Sequence, residues 1–235
     1  FGPHASFDEP WAIAVDARGY VYLASNGATD QPVRLISPAG VAEQLPGITG
    51  RFGGIAVDPL GADILVTQPT ASAVKRYGAR APAAPPQTLT FGDGASGTRN
   101  GAPSVGRFNT PHSLAVDPVT GEIVVAARLS HRLFRLGGKG ELSVFAGTGA
   151  SAPFINNATD GLRATFYWPS AVAVNSTGAT TVSDQGNFVL RAVHAEGSVA
   201  TLAGEQGVPG DGNGPLLGGC RFESPRGLAF FTPAT

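Results

Sequence analysis

The chain has 235 residues, of which 42% are hydrophobic and 14% charged, with 33 glycines, 19 prolines and no methionine. This composition favours an all-β protein whose short strands are joined by many turns. The net charge of −1 lacks the basic excess of proteins that bind nucleic acid through its phosphates, so no nucleic-acid partner is expected. A single cysteine, Cys220, excludes an intrachain disulfide and a cysteine-rich zinc site. No apolar run approaches the roughly 20 residues that span a bilayer, so no membrane segment is expected.

A short pattern recurs along the chain at intervals of about 40–60 residues, as in repeat proteins. It consists of a phenylalanine, a proline and then an apolar triplet centred on alanine. The central alanines are Ala14, Ala56, Ala115, Ala173 and Ala229. The prolines before them are Pro10, Pro111, Pro169 and Pro225, with Phe52 replacing proline in the second unit. We interpret the alanine as a small residue at the crowded centre of the fold, and the phenylalanine as a plug between neighbouring sheets.

Each unit contains four candidate strands in chain order. The first is the alanine triplet, and the second follows a glycine turn, as in YVYLAS from Tyr20. The third carries a basic residue among apolar ones, as in Phe134-Arg135-Leu136, and the fourth is a short apolar segment such as ELSVF from Glu141. Four short strands per repeat predict the four-stranded antiparallel blades of a β-propeller. The predicted blades cover residues 10–48, 52–92, 111–147 and 169–204, and 225–235 supplies the first strand of a partial fifth.

The units resemble the NHL-repeat family. Asp184-Gln185-Gly186-Asn187 matches the Asp-x-Gly-Asn turn that this family places between the second and third strands. Ser130-His131-Arg132-Leu133 stands where the family tends to have Asn-His-Arg-Ile. The resemblance implies an NHL-type propeller, and it makes the turn residues Asp184, Asn187, His131 and Arg132 candidates for binding. The first and second units lack this turn, which weakens any function that depends on it.

The number of repeats predicts an incomplete ring. Similar family members close with five or six blades, whereas this chain contains four complete units and begins without methionine, within a repeat. We therefore expect a processed chain or a fragment of a longer array. Open ends of a repeat stack expose apolar surface, which favours self-association.

The best-defined candidate site is one position that recurs just after the start of each first strand. The residues at this position are Trp11, Gly53, His112, Ser170 and Arg226. They are expected to ring one mouth of the central channel, on the face that also carries the long connectors between blades. An aromatic ring, an imidazole, a hydroxyl and a guanidinium together suit a polar or anionic small ligand or a peptide; equally, they could be variable surface residues.

No metal, cofactor or catalytic site is predicted. The four histidines, His4, His112, His131 and His194, occupy different repeat positions and do not form a ligand set. The segment GDGNG at 210–214 lacks the further carboxylates of a calcium loop. No paired carboxylates converge on the channel, which disfavours a lactonase.

These observations favour a non-catalytic module that binds a protein or peptide through its loop-bearing face. An NHL-like enzyme of the lyase or lactonase type, with its site at the channel mouth, is the alternative, and RNA binding is a third hypothesis. The sequons at Asn157 and Asn175 would accept glycans if the protein is secreted or is an extracellular portion of a larger protein. The Pro/Ala-rich segment 79–88 is expected to be an extended loop on the opposite face.

Overall fold

The computed structural model describes residues 7–27, 33–59, 63–78, 88–152, 154–156, 158–216 and 218–230. The partial strand at 231–235, the sequon residue Asn157 and most of the loop at 79–88 lie outside these described residues. Among the described residues, no helix has the length and apolar character needed to cross a membrane.

The described chain forms four antiparallel sheets of four strands each, and in every sheet the strands are paired in chain order. We call these sheets blades 1 to 4. Blade 1 consists of β1 (Pro10–Val15), β2 (Val21–Ser25), β3 (Arg34–Ile36) and β4 (Ala42–Gln44). Blade 2 consists of β5 (Gly54–Val57), β6 (Ile64–Gln68), β7 (Ala73–Tyr77) and β8 (Thr88–Phe91). Blade 3 consists of β9 (Pro111–Val116), β10 (Ile123–Ala127), β11 (Arg132–Leu136) and β12 (Leu142–Ala146). Blade 4 consists of β13 (Pro169–Val174), β14 (Thr180–Asp184), β15 (Val189–Val193) and β16 (Val199–Ala203).

The four first strands lie side by side. β1 packs against β5, β5 against β9, and β9 against β13, so consecutive blades are neighbours in space. Each of the four predicted blades contains the four strands expected of it. The first strands of consecutive blades thus lie next to each other, as expected for neighbouring propeller blades.

The repeated alanine faces the next blade along the chain. Ala115 of β9 packs in the apolar cluster between blades 3 and 4, which also contains Val172 of β13. Ala56 of β5 likewise packs in the cluster between blades 2 and 3, together with Leu114 of β9. Because side chains alternate along a strand, the larger residue beside each alanine points back to the preceding blade. The alanine thus leaves room for the large side chain of the following first strand.

The recurrent phenylalanine fills the boundary between blades. Phe108 and Phe166 are fully buried and belong to the clusters between blades 2 and 3 and between blades 3 and 4. Phe7, at the same repeat position before blade 1, is 37% exposed. The predicted plug is therefore confirmed at two of the three boundaries between described blades; at the boundary between blades 1 and 2 the equivalent residue is Thr49.

The residue after each alanine triplet closes the turn between the first and second strands. The Asp16 carboxylate accepts hydrogen bonds from the backbone N–H groups of Arg18 and Tyr20, both at 2.9 Å. The Asn175 side-chain oxygen accepts from the N–H groups of Thr177 and Ala179 at the same distance. A short oxygen-bearing side chain is needed here because it replaces missing backbone partners in the turn.

Two features differ from the expectations. A first strand between two neighbouring blades is covered on both faces, yet Ile13 and Val15 of β1 are 63% and 60% exposed, because no described blade lies on that side. The predicted first strand of a fifth blade is not a strand over residues 225–230. Its start nevertheless lies beside blade 4, where Pro225 accepts a hydrogen bond from Ser170. No second strand pairs with this segment in the described chain, so the ladder that would define it as a strand is missing.

Candidate functional site

The first strands begin on the face that carries the turns between second and third strands. Three of these turns are short 3-10 segments, Pro69–Ala71, Arg128–Ser130 and Gln185–Asn187. The connectors between blades also open on this face, because the strands of each blade alternate in direction. We call the surface around Trp11, His112, Ser170 and Arg226 the mouth.

The chain enters each first strand through an unusual backbone conformation. Glu9, Thr110 and Trp168 have positive φ values of 44°, 56° and 55°, and each precedes the proline that begins a strand. Positive φ is uncommon for residues with side chains. Because it recurs in three blades, the conformation belongs to the repeat itself.

The predicted mouth residues are linked by hydrogen bonds from one blade to the next. Trp11 Nε1 donates to the Gly53 carbonyl at 3.1 Å, and His112 Nδ1 lies 2.8 Å from the Ser170 carbonyl. Ser170 Oγ in turn donates to the Pro225 carbonyl at 3.0 Å. These side chains therefore fix the spacing of neighbouring first strands, in addition to any contact with a ligand.

Gly53 occupies the tightest approach in this series. A Cβ atom at this position would lie 2.4 Å from the His112 carbonyl oxygen. The same His112 carbonyl accepts a hydrogen bond from Thr67 Oγ1 of β6 at 3.0 Å. Gly53 therefore allows the close approach of the two blades, whereas Trp11 and Arg226 are exposed.

Aromatic and basic side chains surround the mouth. The Trp11 and His112 rings meet edge to face, with centroids 6.4 Å apart. The Arg128 guanidinium lies over the Trp168 ring at 5.0 Å, and the Tyr167 ring is 4.6 Å from that of Trp168. Trp11 is 50% exposed and Trp168 is 36% exposed, so both rings are available to a ligand.

The surroundings of His112 favour the neutral form of its imidazole. Burial lowers the pKa of its imidazole, and the positive charges of Arg128 and Arg226 lower this pKa further, against an opposing effect of the Ser170 carbonyl. Since a carbonyl oxygen only accepts, Nδ1 carries the proton in that hydrogen bond. The neutral ring therefore has its lone pair on Nε2.

The turn residues predicted from the family resemblance do not act together as one site. Asp184 ends β14 and is fully buried, and Asn187 is buried in the turn that follows it. Asp184 accepts hydrogen bonds from Tyr167 N at 2.7 Å and from Asn187 Nδ2 at 2.8 Å. Both side chains are thus occupied within the protein, and neither reaches the mouth surface.

Arg191 completes this buried network. The side chain lies 3.4 Å from Asp184 Oδ2 and donates to the carbonyls of Ile155 and Thr165 at 2.9 and 3.2 Å. Burial raises the pKa of Asp184 to about 6, against the lowering effect of its hydrogen bonds and of Arg191. The network holds the connector before blade 4 against β15, so its role is structural.

His131 and Arg132 lie at the boundary between blades 3 and 4. His131 Nδ1 accepts a hydrogen bond from Trp168 N at 3.3 Å, and its ring centroid is 5.7 Å from that of Tyr167. Burial lowers the pKa of His131, and Arg132 lowers it further. Arg132 donates to the carbonyls of Gly147 and Thr148 in the connector after blade 3. His131 therefore supports the aromatic side of the mouth, whereas Arg132 fixes a loop.

Arg128, Tyr167 and Trp168 were not among the predicted site residues. A usable signal exists in the sequence, because Trp168 directly precedes a strand-starting proline and Arg128 begins a turn between second and third strands. Both positions belong to the face that carries the mouth. Their contact across the blade boundary depends on packing that the repeat pattern alone does not specify.

No group of three or more His, Cys, Asp or Glu side chains suited to a metal ion occurs among the described residues. A separate open depression lies near the turn between β11 and β12, and its lining includes Glu122, Arg135 and Glu141. Arg135 pairs with Glu122 at 3.8 Å, so its charge is balanced within the protein. The mouth, by contrast, concentrates cations around His112.

The sequence matches no protein-family model and no curated protein. Solved structures similar to the chain include an auxiliary nutrient binding protein from Bacteroides thetaiotaomicron, at a TM-score of 0.73 and 15% identity over 95% of this chain and 54% of that one. A second is virginiamycin B lyase from Staphylococcus aureus, at a TM-score of 0.55 and 13% identity over 84% of this chain and 56% of that one. A third is an auxiliary nutrient binding protein from Bacteroides ovatus, at a TM-score of 0.58 and 16% identity over 74% of this chain and 45% of that one.

The chain therefore spans about half the length of these proteins. At such low identity the likeness concerns the fold, which is of the β-propeller type. A shared fold does not by itself assign a shared function.

Proposed function

We propose that this chain is part of an NHL-type β-propeller that acts as a binding module for a protein or peptide, without catalysis of its own. Its main support is the mouth itself, where two exposed tryptophans and two arginines meet on one face of a rigid repeat scaffold. Aromatic and arginine side chains are enriched where proteins bind their partners. The similarity to nutrient-binding proteins is compatible with a binding role.

A peptide library displayed on phage provides the test. We expect selected peptides to lose most of their affinity for a variant that carries Trp11→Ala and Arg226→Ala, both at exposed positions. Lys139→Ala serves as the control, because Lys139 is exposed in the turn between β11 and β12, on the opposite face. Equal binding by the double variant and the wild type would show that the mouth is not the binding surface.

The second candidate is an enzyme of the lyase or lactonase type. One observation favours it: neutral His112 donates through Nδ1 and keeps a lone pair on Nε2, the arrangement of a general base. The similarity to a virginiamycin B lyase also supports this candidate. Metal analysis of the purified protein separates the two functions, because a stoichiometric ion would favour the enzyme.

We further propose that the open side of blade 1 supports self-association. Ile13 and Val15 are exposed there, while their counterparts in the other blades pack against a preceding blade. Sedimentation velocity of the wild type and of an Ile13→Thr/Val15→Thr variant tests this. We expect the wild type to form the larger species; identical, purely monomeric behaviour of both proteins would refute it.

A further inference from the structure

The two tryptophans of the chain both lie at the mouth, and each ring contacts an ionisable side chain. Trp11 meets the His112 ring, and Trp168 lies beneath the Arg128 guanidinium. Since the chain has only these two tryptophans, its indole fluorescence reports on this surface alone.

The charge at the mouth differs in sign from that of the whole chain. The net charge is −1, yet the charged groups that act on His112 are two cations, Arg128 and Arg226. In the described residues neither arginine forms an ion pair within 4.0 Å with a carboxylate. Both guanidinium groups therefore act on His112 without a carboxylate partner among the described residues.

Arg128 is held in place without being neutralised. Its guanidinium carbon lies over the Trp168 ring, 5.0 Å from the ring centroid, and Nε is buried and has no hydrogen-bond partner. A planar guanidinium presents a fork of donors that matches the two oxygens of a carboxylate. Because Nε is covered by the protein, a ligand carboxylate would be bound through the terminal nitrogens of Arg128.

We propose that the mouth binds an acidic peptide segment, with a carboxylate of the ligand held by Arg128 and Arg226 and its apolar part against Trp11 and Trp168. This inference rests on the proposed function and adds the chemistry of the ligand. Two arginines suit one or two carboxylates, whereas tight nucleic-acid binding requires many phosphate contacts. The acidic peptide is therefore favoured over RNA.

The test is a titration of indole fluorescence at low ionic strength. The probes are acetylated and amidated hexaglutamate, the matching hexaglutamine, inorganic phosphate and an oligouridylate. We expect hexaglutamate to give a saturable change and to bind at least tenfold tighter than hexaglutamine. Equal binding of the two peptides would overturn the inference, as would tighter binding of phosphate or of the oligouridylate.

Three variants identify the groups responsible. Arg128→Gln and Arg226→Gln should each weaken hexaglutamate binding about tenfold or more, because each removes a charge-assisted hydrogen bond. Lys139→Gln removes the same charge on the opposite face and should change affinity less than about twofold, as expected of a distant, solvent-screened charge. Equal losses for all three variants would mean a general charge effect and would refute the inference.

Arg128→Lys separates the geometry of the donors from their charge. It keeps the positive charge but loses the planar fork, so we expect an affinity between those of the wild type and Arg128→Gln. Thermal melting of each variant confirms that it is folded before binding is measured. If neutral library peptides bind in a Trp11-dependent way while hexaglutamate does not, the carboxylate inference fails and the binding module stands. If no peptide binds, both fail.

Discussion

The buried pair of Arg191 and Asp184 supports a quantitative prediction for Arg191→Met. The substitution keeps much of the apolar volume but removes the positive partner of a carboxylate that is fully buried. It also removes the hydrogen bonds to the Ile155 and Thr165 carbonyls. Breaking a buried ion pair from one side typically costs about 3–5 kcal/mol. We expect the free energy of unfolding at pH 7.5 to fall by an amount in this range. That is a large share of the roughly 5–15 kcal/mol that stabilises a typical domain.

The cost should depend on pH in a defined direction. In the variant, Asp184 has lost its cation, so its pKa lies above the wild-type value of about 6. Protonation removes the unpaired charge, and the same protonation weakens the ion pair in the wild type. The difference in unfolding free energy between the two proteins should therefore be smaller at pH 5.5 than at pH 7.5.

Urea denaturation at the two pH values measures this difference. Arg18→Met is the matched control, since Arg18 pairs with Asp16 at the surface, where its side chain is 56% exposed. Its urea midpoint should stay close to that of the wild type, because solvent screens an exposed pair. A decrease in unfolding free energy below about 1 kcal/mol for Arg191→Met, the range of a surface pair, would refute a stabilising role of the buried network. A decrease that becomes larger at the lower pH would refute it as well.

Three further predictions follow from particular residues. The raised pKa of Asp184 means that the folded protein takes up a proton near pH 6 while the unfolded chain does so near pH 3.8. The stability of the wild type relative to Asp184→Asn should therefore rise as the pH falls from 7 to 5, by at most about 1.4 kcal/mol per pH unit in urea denaturation. Phe166→Ala should lower the free energy of unfolding by about 3–5 kcal/mol. Phe7→Ala, at the same repeat position but exposed, should lower it much less. Equal losses for the two variants would contradict the role of the phenylalanine as a plug between blades. Gly53→Ala should lower the free energy of unfolding by about 1–3 kcal/mol, because its methyl group would overlap a carbonyl oxygen of the next blade. Gly138→Ala, with no atom within 4 Å of the added carbon, should change the melting temperature little.

Much of the fold could be predicted from the sequence because the repeat constrains it at several levels. The alanine triplets and the turn-closing residues such as Asp16 have a local physical reason that recurs in the four blades, and the plugging phenylalanine recurs in most units. The orientation of the alanine toward the following blade was not predicted. That orientation depends on whether the alanine side of the strand faces the preceding or the following blade. The alternating sequence pattern is the same in both cases.

The candidate site was predicted less completely. Trp11 and Arg226 are exposed, whereas Ser170 is buried and hydrogen-bonded to the segment beside blade 4. The Asp184 turn is a candidate for binding because it resembles a family motif, whereas in the structure Asp184 pairs with the buried Arg191. Arg128 and Trp168 come from different blades, so only the packing of those blades brings them together.

The positive character of the mouth can be measured without any knowledge of the ligand. Iodide and caesium both quench indole fluorescence, and both tryptophans lie at this surface. At an ionic strength near 0.01 M, where charges act over about 30 Å, the ratio of iodide to caesium quenching should exceed that of free N-acetyltryptophanamide. The excess should disappear at high salt and in an Arg128→Gln/Arg226→Gln variant. A ratio equal to or below that of the free indole would contradict the aromatic and basic site on which the proposed function depends.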